Sequence, residues 1–262
     1  MRALWMVLIG AAAIGIGAAQ QDAKAFLRQV QQKYRNAKSW EMKIDITIET
    51  SFGDNSQKIR SVSTVAMQTP NLMAVKIEAS PPAPAREVYS DGETVYEYIP
   101  SAKQYIKRPA PPNFDGANRY LLGNAGILIG LLNEDLEKFD ANVKIQFHGT
   151  QTVSGKQTRV VEISEKRGDS TLNLKLYIGA QDKLVYRAEW NQTTRMQQGG
   201  QGNNQAPLRA ATKAVADIRY LSFDKPIAAT RFRFKPPAGA KEVQPVPQQG
   251  QGGLPQLPAG SR

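Results

Sequence analysis

The sequence predicts a mainly β protein with some helix, an incomplete antiparallel β-barrel of about eleven strands that is lidded by helices. Three observations lead to this fold class. Segments of alternating apolar and polar residues recur along most of the chain, with short turn sequences between them. One amphipathic helical segment precedes the first strand, and one almost wholly apolar helical segment interrupts the strands midway. Antiparallel strands with one apolar face must curl to bury it, which favours an open barrel covered by helices.

The first 19 residues have the composition of a secretory signal peptide. Arg2 precedes an apolar run over residues 4–16, and small residues follow at 17–19. We predict cleavage near Ala19, a single domain over residues 20–243, and a disordered tail rich in Pro, Gln and Gly over residues 244–262. An uncleaved N-terminal anchor is the alternative interpretation.

The first half of the mature chain is predicted to contain one helix and several strands. Asp22 is the expected N-cap of a helix whose apolar stripe reaches Tyr34. Residues 40–52 alternate apolar and polar side chains throughout, which predicts a long strand with one wet face. Further strands are predicted at 56–68, at 72–79 and, as a three-stranded meander, within 87–108.

The middle of the chain changes to helical periodicity. Residues 118–122 and 124–139 are predicted helices, and residues 126–132 are almost entirely apolar. Such a helix is either a buried plug of the core or a cover for an apolar surface that it can expose. Under the second interpretation, the lid residues are Ile127, Leu128, Leu131 and Leu132.

The second half returns to strand periodicity. Strands are predicted at 143–148, 158–165, 171–178, 184–196, 213–223 and 230–234. Residues 197–206 are rich in Gly, Gln and Asn, and we expect them to form a loop without fixed structure.

The chain offers little chemistry for catalysis or metal binding. It has no Cys and one His, His148, which is expected at a turn where a strand ends. No group of His, Cys or carboxylate residues has metal-ligand spacing, and no phosphate loop or Gly-x-Ser-x-Gly motif occurs. We therefore expect a protein that is not an enzyme and that uses no metal and no cofactor. The net charge of +11 favours anionic lipid or acidic protein surfaces over nucleic acid in an exported protein, or serves solubility alone.

An apolar surface remains as the candidate binding site. Its members are the apolar residues that share one face of several predicted strands: Trp40, Met42, Ile44, Ile46, Ile48, Met67, Met73, Val75, Leu174, Leu176, Tyr186 and Trp190. Methionine fills irregular space and adapts to varied partners, so the three Met residues favour a lining for acyl chains. An ordinary solid core is the alternative.

Two segments carry a family resemblance. Residues 88–109, VYSDGETVYEYIPSAKQYIKRP, place an Asp-Gly turn between Tyr-rich strands, and FRFKPPAGAKEV follows at 232–243. In an exported β-rich chain, these segments resemble the LolA-like superfamily of outer-membrane lipoprotein carrier and sorting proteins, and in particular its branch of predicted periplasmic proteins.

The resemblance implies a lidded half-barrel in the periplasm. A carrier of this kind holds the acyl chains of a lipoprotein or lipid in an apolar cavity, receives them from an inner-membrane transporter and passes them to an outer-membrane receptor. We expect a monomer. An envelope-stress sensor or regulatory interaction module with the same fold is the alternative. Arg86, Lys107 and Arg108 could meet an anionic head group or partner.

Overall fold

A computed structural model describes residues 11–114, 120–123, 125–133, 136, 142–196 and 208–244. The helices are α1 (Ala11–Asn36) and α2 (Ala125–Asn133), and a 3-10 helix spans Ala229–Phe232. The strands are β1 (Ser39–Phe52), β2 (Asn55–Gln68), β3 (Leu72–Ile77), β4 (Arg86–Asp91), β5 (Thr94–Ile99), β6 (Gln104–Pro109), β7 (Val143–Val153), β8 (Lys156–Arg167), β9 (Ser170–Gly179), β10 (Val185–Met196), β11 (Leu208–Phe223) and β12 (Lys241–Glu242).

The described strands form one sheet. Its order is β12-β6-β5-β4-β3-β2-β1-β11-β10-β9-β8-β7, and the sheet is not closed because β12 and β7 are its two ends. Neighbours from β2 to β6 and from β7 to β11 pair antiparallel, whereas β12 runs parallel to β6. The predicted fold class, a mainly β chain with few helices and an open antiparallel sheet, is confirmed.

Three local predictions are wrong. Asp22 lies inside α1 and caps nothing, because the Ala-rich residues before it continue the helix back to Ala11. The predicted strand at 230–234 is largely the 3-10 helix, in which Arg231 N–H donates to Ala228 O at 2.8 Å. His148 does not end a strand, because a register shift between Phe147 and Thr150 lets β7 continue beyond it to Val153.

Several predictions fall wholly or partly outside the described residues. They are the start of the signal peptide (1–10), the predicted loop (197–206), the tail beyond residue 244, and residues 118–119, 124, 134–135 and 137–139 of the two predicted helices. Within the described part of the helical segment, residues 120–122 form a 3-10 turn and α2 begins at Ala125. None of the described helices is both long and apolar enough to cross a membrane.

The chain divides into two compact units. The first comprises Met1–Asn36, Asp45–Arg60 and Phe139–Arg219, and the second comprises Ala37–Ile44, Ser61–Lys138 and Tyr220–Arg262. Each unit is described by itself below.

The first unit consists of β7 to β10, parts of β1, β2 and β11, and the helix α1. The apolar stripe of α1 is buried, and its Phe26 ring packs edge-on against Phe147 of β7 with centroids 5.6 Å apart. The Arg159 guanidinium lies over both rings, 3.7 Å from the Phe147 centroid and 4.8 Å from the Phe26 centroid. The helix is therefore fixed to β7 and β8 by stacking as well as by apolar burial.

The second unit is built on β2 to β6, whose strands carry two buried faces. Strand register places the fully buried Val65, Val75 and Val88 side by side, with Met67, Met73 and Val95 on the same side. We call these six residues the valine face. The residues that alternate with them form the tyrosine face: Ala66, Ala74, Tyr89, Tyr96, Tyr98 and Tyr105.

The C-terminal segment, residues 227–243, covers the tyrosine face. Phe232 lies in a buried cluster with Ala66, Ala74 and Tyr89. The Phe234 ring centroid lies 5.3–5.6 Å from the centroids of all four tyrosines of that face. Polar contacts hold the segment in place: Arg231 Nη2 lies 2.7 Å from Glu41 Oε1, and Val243 N–H donates to Tyr105 O at 2.9 Å. This cover is thus tied down by both side chains and backbone.

Replacing Phe232 with Ala is expected to destabilise the protein by about 3–5 kcal/mol, because the ring is 1% exposed and its removal leaves a cavity on the tyrosine face. Urea unfolding of the variant measures the loss. Leu221→Ala is the control, since Leu221 is 49% exposed and should change stability by less than about 0.5 kcal/mol. Equal effects of the two substitutions would contradict this role of Phe232.

Candidate functional site

In the second unit, the predicted lining residues lie on or beside the valine face. Met73 and Val75 are buried on it and Met67 is half-buried. Three residues of β1 are buried: Trp40, Met42 and Ile44. They alternate along the strand with Glu41, which pairs with Arg231 of the C-terminal segment that covers the tyrosine face. These three residues therefore lie on the valine side of β1, the strand next to β2.

The other predicted lining residues belong to the first unit. Leu174 and Trp190 are paired across β9 and β10 and are half-buried, and Leu176 is buried on the same face. Ile46 is buried and Ile48 is half-buried on β1. Tyr186 sits at a register shift, where its hydroxyl donates to Asp182 Oδ2 at 2.6 Å.

Tyr186 is the one predicted lining residue whose polar group has a fixed partner in the adjacent turn. Burial, and then the hydrogen bond to Asp182, raise the pKa of Tyr186 above its ordinary value. The phenol therefore stays protonated and acts as a structural donor. Membership of a ligand-binding surface stays a prediction for all twelve lining residues.

The helical insertion, residues 120–123 and 125–133, begins beside the valine face. A Cβ added at Gly123 would be 2.9 Å from Ile77 Cδ1, and Ile77 continues the valine side of β3. Gly123 has φ +55°, which also favours glycine at this close approach. At the other margin, Arg108 of β6 lies with its guanidinium carbon 5.6 Å from the Tyr120 ring centroid.

The described side chains of the insertion are mostly buried and apolar. Of the four predicted lid residues, Leu128 and Leu132 are buried, and the side chains of Ile127 and Leu131 lie outside the description. Leu121 and Leu122 of the preceding turn are buried as well. The insertion therefore contributes apolar side chains to a face that would otherwise meet water.

Asn71 fixes the chain segment that leads from β6 towards the insertion. Its side-chain amide donates to Gly92 O at 2.9 Å and to Pro111 O at 3.0 Å, and Ala110 N–H donates to Glu93 O at 2.8 Å. The connection is thus anchored at residues 110–111. The sequence does not predict this role of Asn71, because an amide that bridges two distant carbonyls has no local signature.

Three charged residues border the valine face. Glu97 of β5 is paired with both Arg86 of β4 and Arg108 of β6. All residues of β3 to β6 are described, and Arg86, Glu97 and Arg108 are the only charged residues on the valine side of these strands. Sequence reasoning missed Glu97, although period-two spacing places it on the same side as Val95. Lys107, which the sequence grouped with the two arginines, lies on the opposite side and pairs with Glu242 at 2.9 Å.

Burial lowers the pKa of the Arg86 guanidinium from its ordinary value, and the nearby Tyr120 phenol acts in the opposite direction. Arg86 remains charged at any physiological pH, because the ordinary pKa of arginine is far above neutrality.

The single histidine belongs to a polar network in the first unit. His148 Nδ1 lies 2.8 Å from Glu162 Oε2, and His148 Nε2 lies 3.2 Å from Lys175 Nζ. Asn173 donates to the other oxygen of Glu162 at 2.7 Å. Within the described residues, no three His, Cys, Asp or Glu side chains are grouped as metal ligands would be.

Several solved protein structures are similar to this chain. A LolA superfamily protein from Nitrosomonas europaea is 13% identical, with 81% of this chain and 97% of that chain covered at a TM-score of 0.30. LprF from Mycobacterium bovis is 11% identical, with 80% and 96% covered at 0.41, and a conserved protein from Thermus thermophilus is 13% identical, with 86% and 100% covered at 0.40. One of these similar structures belongs to a protein named for the superfamily that the sequence resembles.

One protein family matches the chain over most of its length. No curated protein matches it in a comparison of sequences. Residues 23–245 match the family described as "Predicted periplasmic protein (DUF2092)". The chain therefore belongs to the DUF2092 family of predicted periplasmic proteins.

Proposed function

We propose that the protein is a periplasmic carrier, without catalytic activity, that binds the acyl chains of a lipoprotein or lipid on the valine face. The insertion leaves that face when the ligand enters and returns when it is released. A monomer receives its ligand from an inner-membrane transporter and delivers it to an outer-membrane receptor. Membership of a family of predicted periplasmic proteins supports the location.

The two faces of the second unit are covered in different ways, and this difference is the main support for the proposal. The C-terminal segment is attached by an ion pair and by backbone hydrogen bonds from Lys241 and Val243. The insertion has buried leucines, approaches Ile77 of β3 closely at Gly123, and carries further glycines at 126 and 130. A cover held mainly by apolar contact can be exchanged for another apolar group, whereas one held by specific polar contacts cannot.

The energetics of such an exchange suit a carrier. Each methylene buried from water contributes about 0.8 kcal/mol, so a 16-carbon chain offers roughly 10 kcal/mol of gross burial. Displacing the insertion uncovers apolar side chains and costs a comparable amount. The small difference between the two terms gives reversible binding, which a carrier that hands its ligand on requires.

A disulfide between positions 77 and 123 is expected to block acyl uptake by fixing the insertion to β3. The Cβ position at 123 lies 3.6 Å from Ile77 Cγ1, so side chains at the two positions are in contact, and the chain has no cysteine of its own. We expect oxidised Ile77→Cys/Gly123→Cys to bind no fluorescent fatty-acid probe and the reduced form to bind it. The single variants are the controls for the substitutions themselves. Equal uptake of the probe by the oxidised and the reduced double variant would contradict the proposal that the insertion moves.

Native mass spectrometry of the protein isolated from its own envelope is expected to show bound acyl species. Extraction of that species separates a lipoprotein from a free lipid. An empty protein that also takes up no acyl probe in its unlocked form would contradict the carrier function and favour a regulatory interaction module.

A further inference from the structure

We propose that the ligand carries an anionic phosphate head group, which binds between Arg86 and Arg108 at the border of the valine face. This inference rests on the proposed acyl-binding function and names its ligand class: a phosphate-bearing lipid rather than a neutral acylated peptide terminus. Three properties of the two arginines support it: their charge, their exposure and their position.

The charges of the three residues at this border of the valine face do not cancel. Among the described residues, two guanidinium groups face one carboxylate, which leaves one positive charge in excess. Two atoms of this group, Arg108 Nε and Glu97 Oε1, are buried and have no hydrogen-bond partner among the described residues. A structural ion pair needs one arginine for Glu97, and the second arginine adds a desolvated charge that an anionic ligand would compensate.

Exposure favours the approach of an anion to the arginines. The side chains of Arg86 and Arg108 are 30% and 34% exposed, whereas that of Glu97 is 11% exposed. Glu97 therefore lies beneath the guanidinium groups and orients them, while their outer edges can still donate. Two planar guanidinium groups match the three acceptor oxygens of a phosphate.

The position of the pair connects head group and acyl chain. Glu97 is directly opposite Val88 and Ile106 in the strand register, and Arg108 is opposite Val95. The anion site thus adjoins the valine face within one strand spacing of about 5 Å. Tyr120 at the start of the insertion lies over Arg108, so the movement that exposes the valine face also uncovers the arginine.

The test compares two amphiphiles with the same 12-carbon chain, dodecyl phosphate and dodecyl maltoside, each below its micelle concentration, by calorimetry on the full mature chain. We expect dodecyl phosphate to bind about tenfold more tightly, as expected for one or two charge-assisted hydrogen bonds. Added salt should weaken only the binding of dodecyl phosphate. Arg86→Gln and Arg108→Gln should remove the difference and leave dodecyl maltoside binding unchanged.

Two further variants keep the test independent of folding defects. Glu97→Gln should increase the affinity for dodecyl phosphate, because it removes the competing carboxylate; a gain cannot come from misfolding. Lys107→Gln is the matched control, since it removes a cation from the same strand on the opposite side, and it should change neither affinity.

Each outcome decides between the two proposals. Equal binding of both amphiphiles that is insensitive to the arginine variants would overturn the head-group site and leave the acyl carrier standing. Binding of neither amphiphile would overturn both. Inorganic phosphate that binds as tightly as dodecyl phosphate would make the arginine pair a site for free phosphate and overturn a lipid ligand.

Discussion

The structure of the second unit depends on one constraint: both faces of its strands are apolar. Antiparallel sheets commonly leave one face in water, but here valines and methionines alternate with alanines and tyrosines, so neither face can be left exposed. The chain has to supply two covers. One comes from the insertion midway along the sequence and the other from the C-terminal segment after β11.

Under the proposed function, the two covers divide the roles of stability and binding. Phe232 and Phe234 complete an aromatic core on the tyrosine face and are kept there by Arg231 and β12. The insertion meets the valine face through a close contact of Gly123 with Ile77, and Tyr120 lies against Arg108 at the margin of that face. A rigid cover on one side allows the other to move without loss of the sheet, which is how a binding face can be both buried and accessible.

Sequence patterns predicted most strands because period-two alternation is a local property. The long β1 and the three strands around Asp91-Gly92 are examples. The C-terminal segment was mistaken for a strand because Thr-Arg-Phe-Arg-Phe alternates as a strand does, while its burial against tyrosines far away in sequence decides its conformation. The apolar insertion was predicted from composition and the valine-side residues from alternation, while their part in binding a ligand stays a prediction. Glu97 and the network around His148 were not, because pairings between distant residues leave no mark in a local pattern.

Hydrogen exchange measured by mass spectrometry, with and without dodecyl maltoside, tests the central claim most directly. We expect the amides of residues 121–133 to exchange faster when the ligand is bound, because the insertion leaves the valine face, and the amides of residues 229–243 to be unchanged. Unchanged or slower exchange of residues 121–133 in a protein saturated with ligand would contradict it, since the ligand would then bind without displacing the insertion.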